Sequence, residues 1–192
     1  MTVSDTLTQN QAARRGRVIR AAMELAAEGG YDAVQMRDVA ARAEVALGTI
    51  YRYFSSKDHL LAACQVEWAS LIERRLQTRP LKGATPADRV AEVVARAYRA
   101  LEKAPELTAA LLTAISSRDP AVADCQREMS RIMGSVLRSA MDGVDDDVAG
   151  GAARVLSHVW FTALMGWVNG WHTMGPVPDE VERAAHLLLD GR

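Results

Sequence analysis

Residues 29–61 read GGYDAVQMRDVAARAEVALGTIYRYFSSKDHLL, and this stretch decides the fold. Apolar residues at helical spacing predict one short helix over residues 36–43 and a second over residues 47–53. Only residues 44–46 separate the two helices. Because two short helices joined by so tight a turn form a helix-turn-helix, the stretch predicts a unit that places its second helix in the major groove of DNA.

The chain on either side of this stretch also has a helical pattern. Alanine, leucine, arginine and glutamate dominate, and runs of β-branched or aromatic residues are scarce. A first helix over about residues 10–28 ends at Gly29-Gly30, and a fourth runs from Lys57 to about residue 78. Proline and glycine positions predict five more helices, over residues 86–103, 105–117, 120–141, 146–174 and 178–189. We therefore expect an all-α chain of about nine helices.

Charge is unevenly distributed along the chain, whose net charge is −1 at pH 7. Residues 10–57 carry eight Arg or Lys against five acids, and residues 58–192 carry fifteen against eighteen. A basic N-terminal segment on an acidic body suits contact with phosphate groups. We therefore divide the chain into a helix-turn-helix DNA-binding domain at residues 1–56 and a helical ligand-binding and dimerisation domain at residues 57–192.

Cysteine usage and the N-terminal sequence favour a cytoplasmic protein. Cys64 and Cys125 lie far apart and fit no metal or redox spacing, so no metal and no cofactor is expected. No apolar leader segment is present at the N-terminus. Residues 155–178 carry no charge other than histidine, but they include Ser157, Asn169 and several glycines. We expect a buried or interface helix there rather than a membrane span.

The first residues of a recognition helix enter the major groove, so they have to allow close approach to the bases. In the second short helix these are Leu47, which can touch a thymine methyl, Gly48, which admits the backbone, and Thr49, which can bond a phosphate or a base edge. Tyr51 and Tyr53 fall on the side that would meet the sugar-phosphate backbone.

Cations nearby complete the predicted DNA contacts. Arg37 begins the preceding helix and is the candidate for bidentate readout of guanine. Lys57 combines a cation with the free amides of a helix N-terminus, which suits a phosphate. Arg52 is either a further contact or a solvated charge, and Tyr51 has packing as its alternative role. The arginines of the first helix are either an exposed face or phosphate contacts; they are Arg14, Arg15 and Arg17.

Residues 29–40 and 45–61 together resemble the signature of the TetR family of repressors. Two positions depart from it, because Glu44 stands where the family usually has glycine and Gln35 where it has a serine or threonine cap. The resemblance implies a homodimeric repressor that binds a palindromic operator and is released by a small ligand. Residues 34–37, 48–54 and 159–167 are also similar to actinobacterial repressors of steroid and cholesterol catabolism, which implies an apolar effector such as a steroid or a fatty acyl-CoA.

The last two helices are the expected dimer interface, because the eighth is apolar nearly all round. The residues assigned to the interface are Val159, Trp167, Val168, Trp171, Val181, Ala185 and Leu188. Flexible and aromatic side chains in the body suit an apolar ligand pocket, although each could be ordinary core. The residues assigned to the pocket are Trp68, Tyr98, Leu101, Leu112, Met129, Met133, Trp160 and Leu164.

The polar groups of such a pocket are not resolved by the pattern. Thr113, Ser130, His158 and Asn169 are equal candidates, and Arg127 and Arg131 are candidates for the mouth of an acyl-CoA tunnel.

Other function classes remain as alternatives. No nucleophile, phosphate-loop, dinucleotide or zinc-protease motif is present, so an enzyme is not expected. The acidic residues at 142–147 lack the order of a calcium loop and are expected to be a solvated helix junction. A helical small-molecule-binding protein without a DNA role, and an activator rather than a repressor, remain as alternatives.

Overall fold

The computed structural model describes residues 9–78 and 81–190, and in this part of the chain it contains nine helices and no strand. The prediction of an all-α fold is therefore confirmed. The helices are α1 (Gln9–Ala33), α2 (Met36–Arg42), α3 (Leu47–Tyr53), α4 (Lys57–Thr78), α5 (Pro86–Glu102), α6 (Pro105–Ala114), α7 (Pro120–Ala140), α8 (Asp146–Val168) and α9 (Val177–Leu189).

The first three helices pack around a small apolar core. Val18 and Ala22 of α1, Val39 of α2 and Ile50 of α3 are fully buried in it. Four residues, 43–46, connect α2 to α3, and Glu44 turns the chain there with φ 54. Backbone hydrogen bonds close this turn, since the amide of Val45 donates to the carbonyl of Ala40 at 3.1 Å. The predicted helix-turn-helix is therefore present, with a glutamate in a left-handed conformation that favours glycine.

Capping and proline explain where the body helices begin. Thr85 precedes α5, and its hydroxyl accepts from the amide of Asp88 at 3.1 Å while the Asp88 carboxylate accepts from the amide of Thr85 at 2.9 Å. This reciprocal pair is a capping box. Pro86, Pro105 and Pro120 each occupy the first turn of a helix, where a missing N–H costs nothing.

Helix α4 belongs to two apolar clusters at once. Its first half contributes Leu60, Leu61 and Cys64 to the N-terminal core, which also contains Leu111 of α6. Its second half contributes Ala69 to the core of the body. Residues 54–56 connect α3 to α4 at the predicted domain boundary, and the helix that follows packs against both parts of the chain.

The eighth helix ends earlier than its composition predicts. It was expected to reach residue 174, but it ends at Val168. Gly170 adopts φ 73, its amide donates to the carbonyl of Trp167 at 3.0 Å, and the amide of Trp171 donates to that of Gly166 at 2.8 Å. This pair of bonds is a Schellman motif, which stops a helix at a left-handed glycine. The sequence signal was the Asn169-Gly170 pair.

The part of the chain that the structure describes has no helix long and apolar enough to cross a membrane. Within the same residues no group of three or more His, Cys, Asp or Glu side chains could hold a metal ion.

Replacing Glu44 with glycine is expected to stabilise the fold. The left-handed conformation costs a residue with a Cβ roughly 1–2 kcal/mol, and glycine removes most of that cost. We expect Glu44→Gly to raise the free energy of unfolding by about 1 kcal/mol in urea titrations. Ala41→Gly, at an exposed position inside α2, should lower it by about 1 kcal/mol and serves as the control. A loss of stability in both variants would contradict the argument.

Candidate nucleic-acid interface and ligand cavity

Helix α3 has one buried face and one exposed face. Ile50 lies in the core, and Phe54 closes the end of the helix beneath it. Gly48, Tyr51 and Arg52 lie on the opposite face and are exposed, with 54% of Tyr51 accessible. Residues at i, i+3 and i+4 share one side of a helix, so these three form a single outward surface.

Another molecule can come close to the N-terminal end of α3. A Cβ atom added at Gly48 would meet nothing within 4 Å, so packing inside the chain does not require glycine there. Leu47 and Thr49 flank it and are half-buried, while Arg37 of α2 is exposed. These groups are therefore accessible from outside the chain, and their contact with DNA remains a prediction.

Lys57 has a role within the chain that the sequence did not predict. Its Nζ donates to the carbonyl of Tyr31 at 3.2 Å and lies 3.7 Å from the centre of the Tyr31 ring. The Tyr31 hydroxyl donates to Asp58 at 2.5 Å, and burial together with this carboxylate raises the pKa of Tyr31 to about 12. Lys57 therefore holds the start of α4 against the end of α1 through a cation–π contact. Its predicted phosphate contact remains a prediction.

Tyr53 also differs from the outward tyrosine that the sequence predicts. Its hydroxyl is buried and has no hydrogen-bond partner within residues 9–78 and 81–190. The Arg52 guanidinium lies 5.5 Å from its ring centre. Tyr53 packs against the N-terminal core, so its ring supports α3 from below.

Two arginines of α1 hold the helix-turn-helix in place. Arg17 Nε donates to the carbonyl of Ala43 at 3.3 Å, at the C-terminal end of α2. The Arg15 guanidinium lies 5.4 Å from the ring centre of Phe54, just after α3. Arg14 is exposed. Of the three arginines considered for phosphate contact, two are engaged by groups that position the reading helices.

Asp119 connects the helix-turn-helix unit to the body. Its carboxylate Oδ2 accepts hydrogen bonds from the hydroxyls of Ser55 and Ser56, both at 2.8 Å, and Oδ1 accepts from the amide of Ala121 at 2.9 Å as the N-cap of α7. The Ser56 hydroxyl, followed by the Ala121 amide and the Ser55 hydroxyl, lowers the pKa of Asp119. One carboxylate therefore caps α7 and joins it to the segment that follows α3.

The body contains a cavity of about 620 Å³, enclosed by residues of α4 to α9. Five of the eight residues predicted for a pocket line it, namely Leu112, Met129, Met133, Trp160 and Leu164. Its other apolar side chains come from four helices and are Val93, Val94 and Ala97 of α5, Leu137 of α7, Ala153, Leu156 and Phe161 of α8, and Val181 of α9. Ser130 and His158 are the predicted polar candidates that lie in its wall.

The remaining pocket predictions are corrected by the packing. Trp68, Tyr98 and Leu101 pack in the apolar cluster at the far end of α8 and are absent from the cavity wall. The side chains of Thr113 and Asn169 donate to carbonyls of their own helices and are absent from it as well.

The arginines at the cavity are not the ones that the sequence suggested. Arg127 and Arg131 form surface ion pairs with Asp124 and Glu128, one turn away on the same helix. They lie outside the cavity, whose wall instead contains two other arginines, one from α7 and one from α8. Sequence spacing alone does not tell which side of α7 faces α8, so these two were missed.

The two arginines of the cavity wall are Arg138, near the end of α7, and Arg154, near the start of α8. Both are exposed, and within the described residues neither guanidinium has an ion-pair or hydrogen-bond partner. Each lies beside a glycine of its own helix, since Cβ atoms added at Gly134 and Gly150 would be 3.5 and 3.7 Å from the guanidinium nitrogens. Unpaired guanidinium groups beside an apolar cavity are suited to a ligand that carries an anion.

The residues predicted for a dimer interface divide into core and surface. Val181 and Ala185 are 1% and 0% exposed and pack in the core of the body, so their assignment to an interface is wrong. The reason is that this face of α9 covers α5. The half-buried members pack partly against the chain, namely Val159, Trp167, Val168 and Leu188. Trp171 is 72% exposed.

Three further apolar residues of α8 and α9 are exposed. Val155 and Phe161 of α8 are each 45% exposed, and Leu187 of α9 is 75% exposed. The buried partners of each helix fix which side faces outward, and that side could not be chosen from an all-round apolar pattern.

Comparison with known proteins decides the family. The sequence model of "Bacterial regulatory proteins, tetR family" matches residues 18–64, and that of "Tetracyclin repressor-like, C-terminal domain" matches residues 83–188. The chain belongs to the TetR family. The first match covers α2, α3 and most of the N-terminal core, and the second covers the helices that enclose most of the cavity.

Individual relatives in the TetR family are repressors. The chain is 35% identical to the HTH-type transcriptional repressor KstR of Mycolicibacterium smegmatis over 187 residues, which cover 97% of this chain and 92% of that protein. It is 36% identical to KstR of Rhodococcus jostii over 189 residues, 96% of this chain and 87% of that protein. The chain is therefore a transcriptional repressor of the TetR family and not an enzyme, and within that family it is similar to the KstR repressors over nearly its whole length.

Solved structures of the TetR family have the same fold. A TetR regulator from Rhodococcus sp. RHA1 superimposes with a TM-score of 0.84 at 32% identity, covering 94% of this chain and 98% of that one. Thermus thermophilus FadR, solved in complex with lauroyl-CoA, superimposes with a TM-score of 0.73 at 21% identity, covering 92% and 94%.

Gly48 allows a test that separates DNA contact from folding. Alanine is the better helix former and meets no atom at this position, so Gly48→Ala should raise the stability of the fold by about 0.5 kcal/mol. The same methyl group should obstruct the approach of base edges and weaken DNA binding about tenfold. The measurement is a fluorescence anisotropy titration on a genomic fragment that the unaltered protein binds.

Gly175→Ala is the control, since Gly175 also has open space around it but lies between α8 and α9. Unchanged DNA affinity in Gly48→Ala would remove Gly48 from the contact surface.

Proposed function

We propose that the chain is a homodimeric repressor that binds a palindromic operator and is released when an elongated apolar effector with an anionic end fills the cavity. The observation that carries the proposal is the position of α4, which packs in the core beneath the helix-turn-helix through Leu60 and Leu61 and forms part of the cavity wall through Gln65. The repressor acts in the cytoplasm, where the reducing environment suits its two free cysteines.

The DNA contacts come from the exposed surface of α2 and α3. Gly48 and Thr49 lie at the N-terminal end of α3 and approach the bases, and Tyr51 and Arg52 contact the backbone. Arg37 reads a guanine. Lys57 keeps its position on Tyr31 and offers its remaining N–H groups to a phosphate. Because α3 spans only about 10 Å, it reads few base pairs, and selectivity requires two copies on a twofold site.

The dimer forms through the outer faces of α8 and α9. Val155 and Leu187 present apolar surface to solvent in the single chain, and half-buried Val159 and Leu188 lie beside them on the same helices. Large exposed aliphatic side chains on adjacent helices mark an interface in a soluble protein. A twofold arrangement of these two helices forms a four-helix contact.

A charge at Leu187 should separate the dimer without disturbing the fold, because this side chain is 75% exposed. We expect Leu187→Glu to sediment as a monomer and to retain helical content, and to lose operator binding at concentrations where the unaltered protein is saturated. Leu71→Glu is the control, since Leu71 is also an exposed leucine, at 38%, but belongs to α4 and not to the two helices of the proposed interface. A dimeric Leu187→Glu would place the interface elsewhere.

The effector is an acyl thioester of coenzyme A, with either a fatty acyl or a steroid acyl group. The apolar walls of the cavity accept the acyl part, and Arg138 and Arg154 bind the phosphate groups of the head. Thermus thermophilus FadR in complex with lauroyl-CoA and Bacillus subtilis FadR in complex with stearoyl-CoA have the same fold, which supports this class of ligand.

Selection of genomic fragments by the full chain tests the proposal as a whole. Fragments retained at low salt are sequenced and scored for a palindrome, and the selection is repeated with lauroyl-CoA and with a steroid acyl-CoA. A palindrome that is lost on addition of one thioester supports operator, symmetry and effector together, and distinguishes the two acyl classes. No enrichment at low salt would remove the DNA-binding role.

The two arginines make the effector assignment quantitative. Arg138→Gln and Arg154→Gln should each weaken binding of the active thioester about tenfold and leave operator affinity unchanged, because a charge-assisted hydrogen bond contributes roughly 1.5 kcal/mol. Arg131→Gln is the matched control, since Arg131 is an exposed arginine of α7 paired with Glu128 outside the cavity. The affinities are measured by calorimetry. If all three variants bind the thioester as tightly as the unaltered protein, these arginines do not bind its head group.

A further inference from the structure

We infer that the end of the cavity opposite the arginines binds a neutral oxygen of the effector, a carbonyl or a hydroxyl, through the side-chain amides of Gln65 and Gln126. This inference rests on the proposed function in one respect, that the effector occupies this cavity. It adds a polar group at the inner end of a ligand that is otherwise recognised by its apolar body and its anionic head.

Gln65 of α4 is an unusual residue for its surroundings. Within the described residues, only Gln65 and Thr108 are polar side chains buried in the interior, and Gln65 is 9% exposed. The Thr108 hydroxyl donates to the carbonyls of Leu101 and Ala104, both at 3.0 Å, so it is satisfied by its own region of backbone. Gln65 has no such backbone partner and lies in the cavity wall.

The amide of Gln65 is only half satisfied. Gln126 Nε2 donates to Gln65 Oε1 at 3.0 Å, which joins α4 to α7. Within the part of the chain that the structure describes, the NH₂ group of Gln65 and the carbonyl oxygen of Gln126 have no hydrogen-bond partner. Whichever way the two amides are turned, one bond between them leaves one NH₂ group and one oxygen free. Both atoms remain open to the cavity, because within the described residues the Tyr53 hydroxyl is the one fully buried polar side-chain atom without a partner, so a ligand atom in the cavity can take up these hydrogen bonds.

The glutamines and the arginines lie at opposite ends of the cavity. Gln126 and Arg138 are twelve residues apart on α7, which corresponds to about 18 Å along the helix. Because only residues 141–145 separate α7 from α8, Arg154 near the start of α8 lies at the same end as Arg138. Between the two ends the α7 face consists of Met129, Ser130, Met133, Gly134 and Leu137.

The chemistry of the inner end selects a neutral group. Two primary amides together offer a donor and an acceptor, which match a ketone or a hydroxyl. The titratable or charged side chains in the cavity wall are Arg138, Arg154 and His158. The two arginines come from the side of the cavity near the α7–α8 connection, and no arginine or lysine of the wall comes from the end that holds Gln65, so no guanidinium or ammonium group stands there to compensate a carboxylate. A purely hydrocarbon end would leave the NH₂ group of Gln65 and the side-chain oxygen of Gln126 without a ligand partner.

The test compares ligands that differ in one oxygen. Lauroyl-CoA and its 11-oxo derivative are titrated by calorimetry into the full-length protein and into Gln65→Met, which keeps the volume of the side chain and removes its amide. We expect the unaltered protein to bind the oxo derivative about tenfold more tightly, a difference of about 1.4 kcal/mol, and Gln65→Met to bind the two thioesters equally. Arg131→Gln should keep the tenfold preference. Equal affinity of both thioesters for the unaltered protein would overturn the inference and leave the proposed function standing.

A probe without a thioester makes the two failures distinguishable. If neither thioester binds, the proposed effector class is wrong, and 2-decalone, a neutral ketone, then decides the inference alone. A larger rise in the thermal unfolding temperature of the unaltered protein than of Gln65→Met would support recognition of an oxygen by Gln65. Equal shifts in the two proteins, or no shift in either, would overturn it.

Discussion

A single uninterrupted helix, α4, is the constraint on which the rest of the structure depends. Its first two turns supply Leu60 and Leu61 to the core beneath the helix-turn-helix, and its later turns supply Ala69 to the core of the body. Protein interiors are close-packed, so a helix buried in two cores cannot move in one without disturbing the other. The exposed face of α3 and the cavity are therefore parts of one mechanical unit, although some residues of each lie far apart in the sequence.

A second connection runs parallel to α4. Asp119 caps α7 and accepts from both serines of the segment after α3, and α7 forms one long wall of the cavity. Its lowered pKa keeps this carboxylate ionised at neutral pH, so the connection does not depend on small changes in pH around neutrality. Desolvation lowers the pKa of the neighbouring His59, which favours the neutral ring at the same junction. Two helices thus lead from the cavity to the helix-turn-helix, and the carboxylate that holds α7 there stays charged near neutral pH.

The sequence predicted most of the architecture because the signals for helices are local. Glycine pairs, prolines and capping residues placed the starts of α5, α6 and α7 correctly, and the short spacing around Glu44 placed the helix-turn-helix. The end of α8 was predicted six residues too late, because a left-handed Gly170 outweighs the apolar composition of the segment that follows it. Local signals also placed five of the eight pocket residues, since adaptable side chains in mid-body helices tend to meet in the interior.

What the sequence could not predict is which way each helix faces. Arg131 and Arg138 are both arginines of α7, yet the first pairs with Glu128 at the surface and the second lines the cavity. The same limitation placed Val181 and Ala185 in an interface, although the packing of α9 on α5 buries them within the chain. Rotation of a helix about its axis is set by its neighbours, and those neighbours are distant in sequence.

The direction each helix faces also determines how an effector could act on DNA binding. A ligand can shift the equilibrium between two positions of the helix-turn-helix only as far as its binding free energies to the two arrangements of the protein differ. A ligand held only by the apolar walls would bind two arrangements of α4 with similar affinity, because methionine side chains adapt to either. A hydrogen bond from Gln65 is directional. Gln65 lies on α4, eight residues after that helix begins at Lys57, next to the helix-turn-helix. In the proposed mechanism, the polar inner end of the effector therefore contributes the differential binding that turns occupancy of the cavity into release from the operator.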